Sequence, residues 1–458
     1  MRFTVLQLVR YNGGAMLQMR EMLAAVPPGG LFPRGEGEGV PWRVSPQPLM
    51  LSRAIVRKLE GLGHILARFQ EVSHALYRRS AAGREAAWLA PLLDAGKPEW
   101  LVRVQRSEAL RGAFPRVIRP DLMLGADDVS LVELDSVPGG MGITLWLSQL
   151  YARAGFEVLG GAGGMAEGMR AAHPGGACIA VSAESADYQA EMRWLAEQLG
   201  EGFMYAEAEA LPADFPGPVY RFWELFDTDN VPAARTLCEA AACAGAGGQG
   251  AAPLALHTQK LSPPPVAHLE EKLWLALLHM PGLQPVWRRE LRAAHLQRLQ
   301  QVVPFGWVVD PAPLPPQAAL PRLGLHSWAE VAALGRAARR LVLKVSGFSP
   351  LAWGSRGVVI GHDVGTPEWQ AAVSRALAEH GQQPWIMQEF REAALVEQPY
   401  YAEGSICTLR GRARLCPYYF RTPEGGVRLG GCLATITPAD KKKIHGMRDA
   451  ILVPCALA

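Results

Sequence analysis

The spacing of apolar and polar residues predicts different secondary structure in successive parts of the chain. Residues 51–95 repeat apolar positions at helical intervals and are predicted to form helices. Residues 116–146 are predicted to form two strands joined by a "GADD" turn, then a glycine-rich loop and a helix. Strands alternate with helices from 156 to 207, which indicates a small parallel α/β unit. From residue 340 onward, short apolar runs predict a mostly antiparallel sheet with one helix at 366–380.

Segments rich in Gly and Pro separate these stretches. Residues 1–47 are interpreted as an irregular arm, 241–253 as a flexible break and 310–321 as a linker or extended loop. Residues 138–142 are interpreted as a turn into a helix that starts near Ile143, in preference to a phosphate-binding loop. The chain is therefore expected to contain several units.

Composition and charge narrow the class of protein. Hydrophobic residues make up 49% of the 458 positions and charged residues 19%, which is typical of a globular chain. The 46 basic residues nearly balance the 43 acidic ones, so charge gives no argument for nucleic acid or a membrane surface. The seven cysteines form no CxxC pair, which disfavours zinc and thioredoxin-like sites. Without a signal peptide or an 18-residue apolar span in the sequence, we expect a cytoplasmic protein.

Two predicted strands carry the first candidate site. Arg119 and Asp121 lie two residues apart, as do Glu133 and Asp135, so each pair projects from one face of its strand. In a hairpin, one patch would then hold an arginine and three carboxylates, which is costly unless a cation neutralises them. Mg²⁺ takes oxygen ligands and binds phosphates, and an arginine fork suits a phosphoryl oxygen. The alternative is a solvent-facing hairpin with surface ion pairs.

The second candidate site lies in "LVLKVSGFSPLAWGSRGVVIG", residues 341–361. Lys344 on a strand beside a Gly/Ser loop is a natural phosphate ligand, although the Walker pattern is absent. The alternative is a hairpin with an exposed lysine at its edge. The later strand "WIMQEF" ends in Gln388 and Glu389, which suggests a hinge that reads adenine through its backbone, or simply a buried strand with a polar end.

Three further patterns are weaker. Gly161, Gly163 and Ala166 match the GxGxxA pattern of a dinucleotide-binding turn, but a glycine-rich turn needs no ligand. The basic run at 441–448 either closes over an anionic substrate or is a solvated charge run. Cys432 beside two glycines is interpreted as a buried thiol and not as a nucleophile.

The order of these features resembles one protein family. R-x-D is followed by E-x-D, the α/β unit, "EEKLWLALLH", the strand lysine and the Q-E strand. This order is similar to that of the ATP-grasp synthetases in the permuted arrangement of the glutathionylspermidine synthase group, where the metal-binding strands precede the lysine-bearing strands. The segment "RPDLMLGADDVSLVELDSVP" has the form of that group's signature. The resemblance implies an α/β (α+β) ATP-grasp fold with permuted strand order, a small parallel α/β domain and an N-terminal helical region.

The resemblance also implies roles for individual residues. Arg119 would contact the terminal phosphate of ATP, and Arg356 would be a second catalytic group in the flexible loop. Mg²⁺ would be held by Asp121, Glu133 and Asp135. The nucleotide-binding residues would be Lys272, Lys344, Gly354, Ser355, Gly357, Gln388 and Glu389.

Some positions depart from the family pattern. Asp135 stands where the group has asparagine, and "GSRG" lacks the glutamate of the group's loop. Residues 1–115 show no Cys/His hydrolase pattern, so an amidase domain is not expected and glutathionylspermidine is a poor guess for the product.

The implied activity is that of an ATP- and Mg²⁺-dependent carboxylate–amine ligase, which forms an amide through an acyl phosphate and releases ADP. Its partners would be a small-molecule or peptide carboxylate and an amine acceptor, with no nucleic acid and no membrane. The implied parts are an N-terminal arm and helical region (1–115), metal-binding strands (116–150), a substrate-side α/β domain (151–255), and a nucleotide-binding region with a C-terminal tail (256–458). The alternatives are a nucleotide-binding pseudoenzyme or scaffold, and an NAD(P)-dependent oxidoreductase that uses the glycine-rich turn.

Overall fold

The computed structural model describes residues 19–27, 30–32, 40–135, 137–243, 260–352, 354, 356–402, 405–441 and 449–458. The strands are β1 (Leu49–Leu51), β2 (Val117–Leu124), β3 (Val129–Asp135), β4 (Ala177–Val181), β5 (Phe203–Glu207), β6 (Val219–Phe222), β7 (Leu261–Ser262), β8 (Gly306–Val308), β9 (Leu341–Val345), β10 (Val358–Ile360), β11 (Trp385–Glu389), β12 (Leu395–Ala402), β13 (Ser405–Arg421), β14 (Val427–Pro438) and β15 (Ile451–Leu457). The α-helices are α1 (Met19–Ala24), α2 (Arg53–Ala81), α3 (Leu89–Asp94), α4 (Glu99–Arg106), α5 (Met141–Arg153), α6 (Gly164–Ala172), α7 (Gln189–Leu199), α8 (Ala234–Cys243), α9 (Leu273–Leu277), α10 (Gln284–Glu290), α11 (Ala293–Val302), α12 (Trp328–Ala333) and α13 (Thr366–Ala378).

A seven-stranded sheet joins the predicted hairpin to the C-terminal strands. Its order is β1-β15-β14-β13-β2-β3, with β12 paired to β13. The pairs are antiparallel except for β1 with β15. The 17-residue β13 replaces the two shorter strands that its apolar runs predict, and it lies against β2. The middle of β13 therefore lies directly beside β2, the strand that carries Arg119 and Asp121.

The strands after residue 340 do not form the single sheet that the sequence predicts. β9, β10 and β11 pair with β8 in a separate four-stranded antiparallel sheet of order β10-β9-β11-β8, whereas β12 to β15 join β2 and β3. The apolar pattern indicates that a segment is a strand, but it does not indicate which strand is its partner. The cleft between these two sheets is the place where the candidate site forms.

Helices cover both faces of the large sheet. Side chains alternate between the faces of a strand. The Tyr418 hydroxyl donates to the Gly139 carbonyl oxygen at 2.7 Å, just before α5, while the Tyr419 hydroxyl donates to Leu59 of α2 at 2.6 Å. Both tyrosines are buried. The hairpin is thus held in a sheet that is enclosed on two sides.

The predicted α/β unit forms a four-stranded parallel sheet of order β5-β4-β6-β7. The prediction of a strand at 156–160 is wrong, because Val158 makes only an isolated bridge to Ala456. At the following turn a Cβ on Gly160 would overlap the backbone of Gly430. Gly160, just before the GxGxxA pattern, and Gly164, within it, therefore serve close packing against β14, whereas a Cβ on Gly161 would meet nothing. The turn also lacks the parallel strand that a dinucleotide-binding turn follows.

No helix within the described ranges combines the length and apolar character that crossing a membrane requires.

A buried polar layer connects α2 and α4 to the segment before Lys272. The ring nitrogens His74 Nδ1 and His268 Nε2 lie 2.9 Å apart, and the Tyr77 ring stacks on His268 with 3.7 Å between centroids. The side chain of Gln105 accepts a hydrogen bond from the backbone N–H of His268 at 3.1 Å. Burial lowers the pKa of His74 to about 4, with a smaller contribution from the positive charge of Arg78.

We expect the free energy of unfolding to decrease as the pH falls from 7 to 5. Burial holds the pKa of His74 at about 4 and that of His173 at about 3, so both stay neutral in the folded chain while unfolded histidine takes up protons near pH 6.5. Each contributes on the order of 2 kcal/mol of lost stability over this interval. Urea denaturation at pH 7 and at pH 5 measures this change in the free energy of unfolding. His173→Gln should flatten the dependence and the exposed His64→Gln should not; equal slopes in both variants would contradict the assignment.

Candidate functional site

The hairpin brings the four predicted side chains to one end of the large sheet. β2 pairs with β3 so that Arg119 lies opposite Asp135 and Asp121 opposite Glu133, with an irregularity in the pairing after Asp121. All four line a cavity of about 390 Å³. The predicted hairpin and its shared face are therefore present.

Each carboxylate of the hairpin is paired with a cation. The Arg119 guanidinium contacts Asp135 and lies 3.5 Å from Asp121, whose other oxygen accepts from Arg414 at 2.9 Å. Glu133 pairs with Lys272 at 2.7 Å. Burial by itself would lower the pKa of Arg119, but the carboxylates of Asp121 and Asp135 hold that pKa well above its usual range. The arginine is therefore charged throughout the physiological range.

The three predicted metal ligands do not form one coordination shell. Within the described part of the chain, no group of three or more His, Cys, Asp or Glu side chains is arranged to hold a metal ion. Asp135 is engaged by Arg119 and accepts a hydrogen bond from the backbone N–H of Val137 at 2.9 Å. Asp121 and Glu133 nevertheless face one cavity, and Mg²⁺ commonly takes one or two carboxylates and completes its shell with phosphates and water. The chemistry of this donor pair fits Mg²⁺.

A narrower cavity continues from the first toward the smaller antiparallel sheet. It measures about 130 Å³ and shares Asp121, Glu133, Lys272 and Arg414 with the larger one. Lys344 on β9 points into it and donates to the carbonyl oxygen of Val132 at 2.8 Å. The two cavities are therefore adjacent and share one wall, and together they form the cleft.

Both predicted lysines lie in this cleft. Lys272 stands at the start of α9, as predicted, and its ammonium also donates to the carbonyl oxygen of Ala352 at 3.1 Å. Burial lowers the pKa of Lys344 to about 8, and the charge of Lys272 adds to this, while Glu133 opposes it. The two cations therefore differ, because Lys272 has its own carboxylate partner and Lys344 does not have one in the described ranges.

The predicted hinge strand β11 reaches the cleft, but its backbone is already in use. The side-chain oxygen of Gln388 accepts from Lys344 at 3.0 Å. The backbone N–H of Glu389 donates to Phe305 at 2.8 Å, and its carboxylate pairs with Arg322 and Arg391. The amide of Glu389 is therefore engaged inside the sheet, whereas both side chains line the narrower cavity.

The predicted loop lies over the cleft. Gly354 and Arg356 line the larger cavity and Gly357 lines the narrower one. The N–H of Gly357 donates to Leu351 at 2.7 Å, which folds the loop back on itself. Ser355, the remaining predicted loop residue, lies outside the described residues.

Sequence reasoning missed Arg414. It lines both cavities, binds Asp121, and carries a buried Nε for which the described residues provide no hydrogen-bond partner. Its guanidinium adds a second positive charge to the wall of the cleft, which suits an anionic ligand. The alternation of Arg410, Arg412 and Arg414 along β13 was visible, but it does not indicate which strand lies beside them.

The glycine-rich segment after the hairpin is the start of α5, two residues earlier than predicted. A buried carboxylate from α7, that of Glu191, accepts from the backbone N–H groups of Gly142 at 2.7 Å and of Gly140 and Ile143, both at 3.3 Å. Burial raises the pKa of Glu191 to about 7, although these three donors act against it. The helix start therefore binds a protein carboxylate in place of a phosphate.

Comparisons with known proteins bear on the fold. No family model matches the chain, and no curated protein matches it. Among solved structures it resembles a glutathione synthetase-like effector from Globodera pallida in its apo form, with a TM-score of 0.51 and 12% identity over 96% of this chain and 97% of that one. The chain has a glutathione synthetase-like fold. A provisionally assigned γ-glutamylcysteine synthetase from Methylobacillus flagellatus also aligns, with a TM-score of 0.37 and 12% identity over 78% of this chain and 82% of the other.

This similarity confirms the coarse part of the predicted fold class. The chain is a mixed α/β protein of several sheets with the fold of a synthetase-like relative. At 12% identity the likeness concerns the fold alone.

We expect Glu191→Ala to lower the free energy of unfolding by about 2–3 kcal/mol, because three backbone N–H donors lose their acceptor at a buried helix start. Chemical denaturation measures the change. Glu197→Ala, on the exposed face of α7, is the matched control and should stay within about 0.5 kcal/mol of the parent. Equal effects of the two substitutions would contradict the capping role.

Proposed function

We propose that the chain is an ATP- and Mg²⁺-dependent carboxylate–amine ligase with a permuted ATP-grasp arrangement. The observation that supports it best is the convergence of four cations and two facing carboxylates on one cleft between two antiparallel sheets. These groups are Arg119, Asp121, Glu133, Lys272, Lys344 and Arg414. Phosphoryl transfer depends mostly on positioning and charge balance, which this set of side chains suits.

The chain order supports the permuted arrangement. The carboxylates come from β2 and β3, which precede the lysine-bearing β9 in the sequence. The hairpin nevertheless belongs to the same sheet as β12 to β15. In the proposed division, segment 116–150 would therefore act together with the C-terminal strands of segment 256–458, because both contribute strands to one sheet.

The charged residues of the cleft would divide the work on the phosphates. Lys344 and Lys272 would bind the phosphates of ATP, while Arg119 and Arg414 would balance the charge on the phosphoryl group as it moves to the substrate carboxylate. Asp121 and Glu133 would hold Mg²⁺, which supplies positive charge to the phosphate oxygens when bound.

The loop at 346–357 would act as the cover of the cleft. Lys272 already holds it through the carbonyl oxygen of Ala352, so a nucleotide that engages Lys272 would also affect the loop. A cover excludes water, which otherwise hydrolyses an acyl phosphate before the amine attacks.

The substrates would enter at the edge of the parallel sheet. The segments after β4 and β6 contribute Tyr188 and Glu224 to the larger cavity, and ligands of such sheets bind beyond the carboxyl ends of the strands. Burial, with the nearby charge of Glu270, raises the pKa of Glu224 to about 8. A carboxylate with this pKa is suited to accept the proton that an attacking amine loses.

The test is a thermal-shift screen of ATP, ADP, NAD⁺ and NADP⁺, each with and without Mg²⁺. A nucleotide at one hundred times its Kd stabilises the folded chain by about 2.7 kcal/mol. We expect the largest shift with ATP and Mg²⁺ together. A shift with the dinucleotides alone, or with none of the four, would sink the proposal.

ADP release against panels of acids and amines then separates a ligase from a pseudoenzyme that only binds nucleotide.

We expect Glu133→Gln to lower substrate-dependent ADP release by about 100-fold or more, because an amide is a poor ligand for Mg²⁺. The substitution also removes the carboxylate partner of the buried Lys272, so the melting temperature should fall somewhat while the chain still folds. Glu397→Gln, an exposed substitution on β12 of the same sheet, is the control and should remain active. Near-normal ADP release by Glu133→Gln would show that the metal assignment is wrong.

ATP affinity should fall as the pH rises above about 8, because the Lys344 ammonium, whose pKa is about 8, loses its charge there. Below pH 8 the lysine is charged and affinity should be flat; above it, affinity should fall by up to about tenfold per pH unit. Isothermal titration between pH 7 and 9 measures this. Lys344→Arg keeps its charge and should remove the slope; a slope that persists in this variant would point to a different group.

A further inference from the structure

A buried lysine of the N-terminal helical region pairs with the residue that directly precedes Lys272. Lys97 lies in the turn between α3 and α4, and its side chain is 1% exposed. Its ammonium donates to the carbonyl oxygen of Leu93 at 2.7 Å and contacts the carboxylate of Glu271, which is 2% exposed. A Cβ on the preceding Gly96 would overlap the backbone of Gln382, so this turn is pressed against the segment that leads into β11.

The contact continues from Glu271 to the end of β9. The second carboxylate oxygen of Glu271 accepts a hydrogen bond from the Ser346 hydroxyl. Ser346 in turn accepts from the backbone N–H of Lys272 at 3.1 Å and, through its hydroxyl oxygen, from that of Leu273 at 2.9 Å. The Ser346 hydroxyl that the start of α9 uses is therefore linked through Glu271 to Lys97, and the neighbouring carbonyl oxygen belongs to the same residue.

This chain lies between the two candidate nucleotide lysines. Glu271 directly precedes Lys272, and Ser346 follows Lys344 by two residues on the way into the loop. The Lys97 ammonium also lies 5.4 Å from the centre of the Phe348 ring, in the same loop. The buried chain thus fixes the backbones that carry both lysines and the first residues of the cover.

We propose that Lys97 is a positioning residue of the nucleotide site, which acts through Glu271 and Ser346 to hold Lys272 and Lys344 at their separation. Lys97 does not itself line either cavity of the cleft. The N-terminal helical region then forms part of the nucleotide-binding unit and is not a separate appendage. The inference rests on the proposed function, because it concerns the site where ATP would bind.

The test compares the parent with the double variant Lys97→Met, Glu271→Met. The double substitution removes both charges together, because removal of one alone would leave the other buried and unpaired. Hydrogen exchange is followed in the apo protein at the amides of Lys272 and Leu273, with those of β4 as an internal reference. Affinity for ATP with Mg²⁺ is measured by titration on the same samples.

The matched control is Glu71→Met, Arg421→Met. This pair joins α2 to β13 at 2.9 Å, with Arg421 3% exposed, and it also connects the helical region to a sheet. It lines neither cavity of the cleft. The control shows how the loss of such an ion pair affects stability alone. Hydrogen exchange at Lys272 and Leu273 and the affinity for ATP should both remain as in the parent.

We expect the Lys97 variant to exchange faster at Lys272 and Leu273 and to bind ATP about tenfold or more weakly, since small displacements of binding groups have large effects. Unchanged exchange at these amides overturns the inference, whether or not ATP binds. Faster exchange with unchanged affinity also overturns it, because the contact is then structural only. If the parent fails to bind ATP with Mg²⁺, the proposed function fails and this inference fails with it.

Discussion

The antiparallel pairing of β2 with β13 is the constraint on which the candidate site depends. It places Arg414 beside Asp121 although the two are 293 positions apart in the chain. Tyr418 fixes β13 to the segment just before α5, and Tyr419 fixes it to α2 on the other face of the sheet, so the strand has little freedom to shift. Without this pairing the hairpin would keep its carboxylates but would lack the second guanidinium that balances Asp121.

Charge balance governs the interior of the cleft. Buried carboxylates and cations are each expensive to desolvate, and they persist together because each partner compensates the other. Capacity for an anionic ligand remains at Lys344, whose ammonium is bound only to neutral oxygens among the described residues. The cleft is thus stable when empty of anions, yet it retains donors that phosphates can use.

Three parts of the chain meet at this cleft and each contributes something different. The large sheet supplies the carboxylates and arginines, and the small antiparallel sheet supplies Lys344 and the loop. The parallel sheet presents its carboxyl edge with Glu224. The N-terminal helical region packs against these elements through the buried polar layer around His268 and through the ion pair between Lys97 and Glu271. The proposed ligase reaction would need such a meeting point, because nucleotide, acid and amine would have to be held at once.

The sequence alone determined the local features of the site. A period of two placed Arg119 with Asp121, and Glu133 with Asp135, on shared strand faces, and the "GADD" turn made the hairpin predictable. A lysine at the end of an apolar strand marked Lys344, whereas Lys272 was indicated only by the family resemblance. Such features follow from side-chain alternation and turn chemistry, which act over a few residues.

Only the tertiary structure decided which segments became partners. It divided the strands after residue 340 between two sheets, brought Arg414 to Asp121, placed Glu191 on the start of α5 and buried Lys97 against Glu271. It also paired each predicted metal ligand with a cation, where the sequence suggested one cluster. These outcomes depend on contacts between distant residues, whose energies are set by packing and desolvation of the whole fold, and no local pattern encodes them.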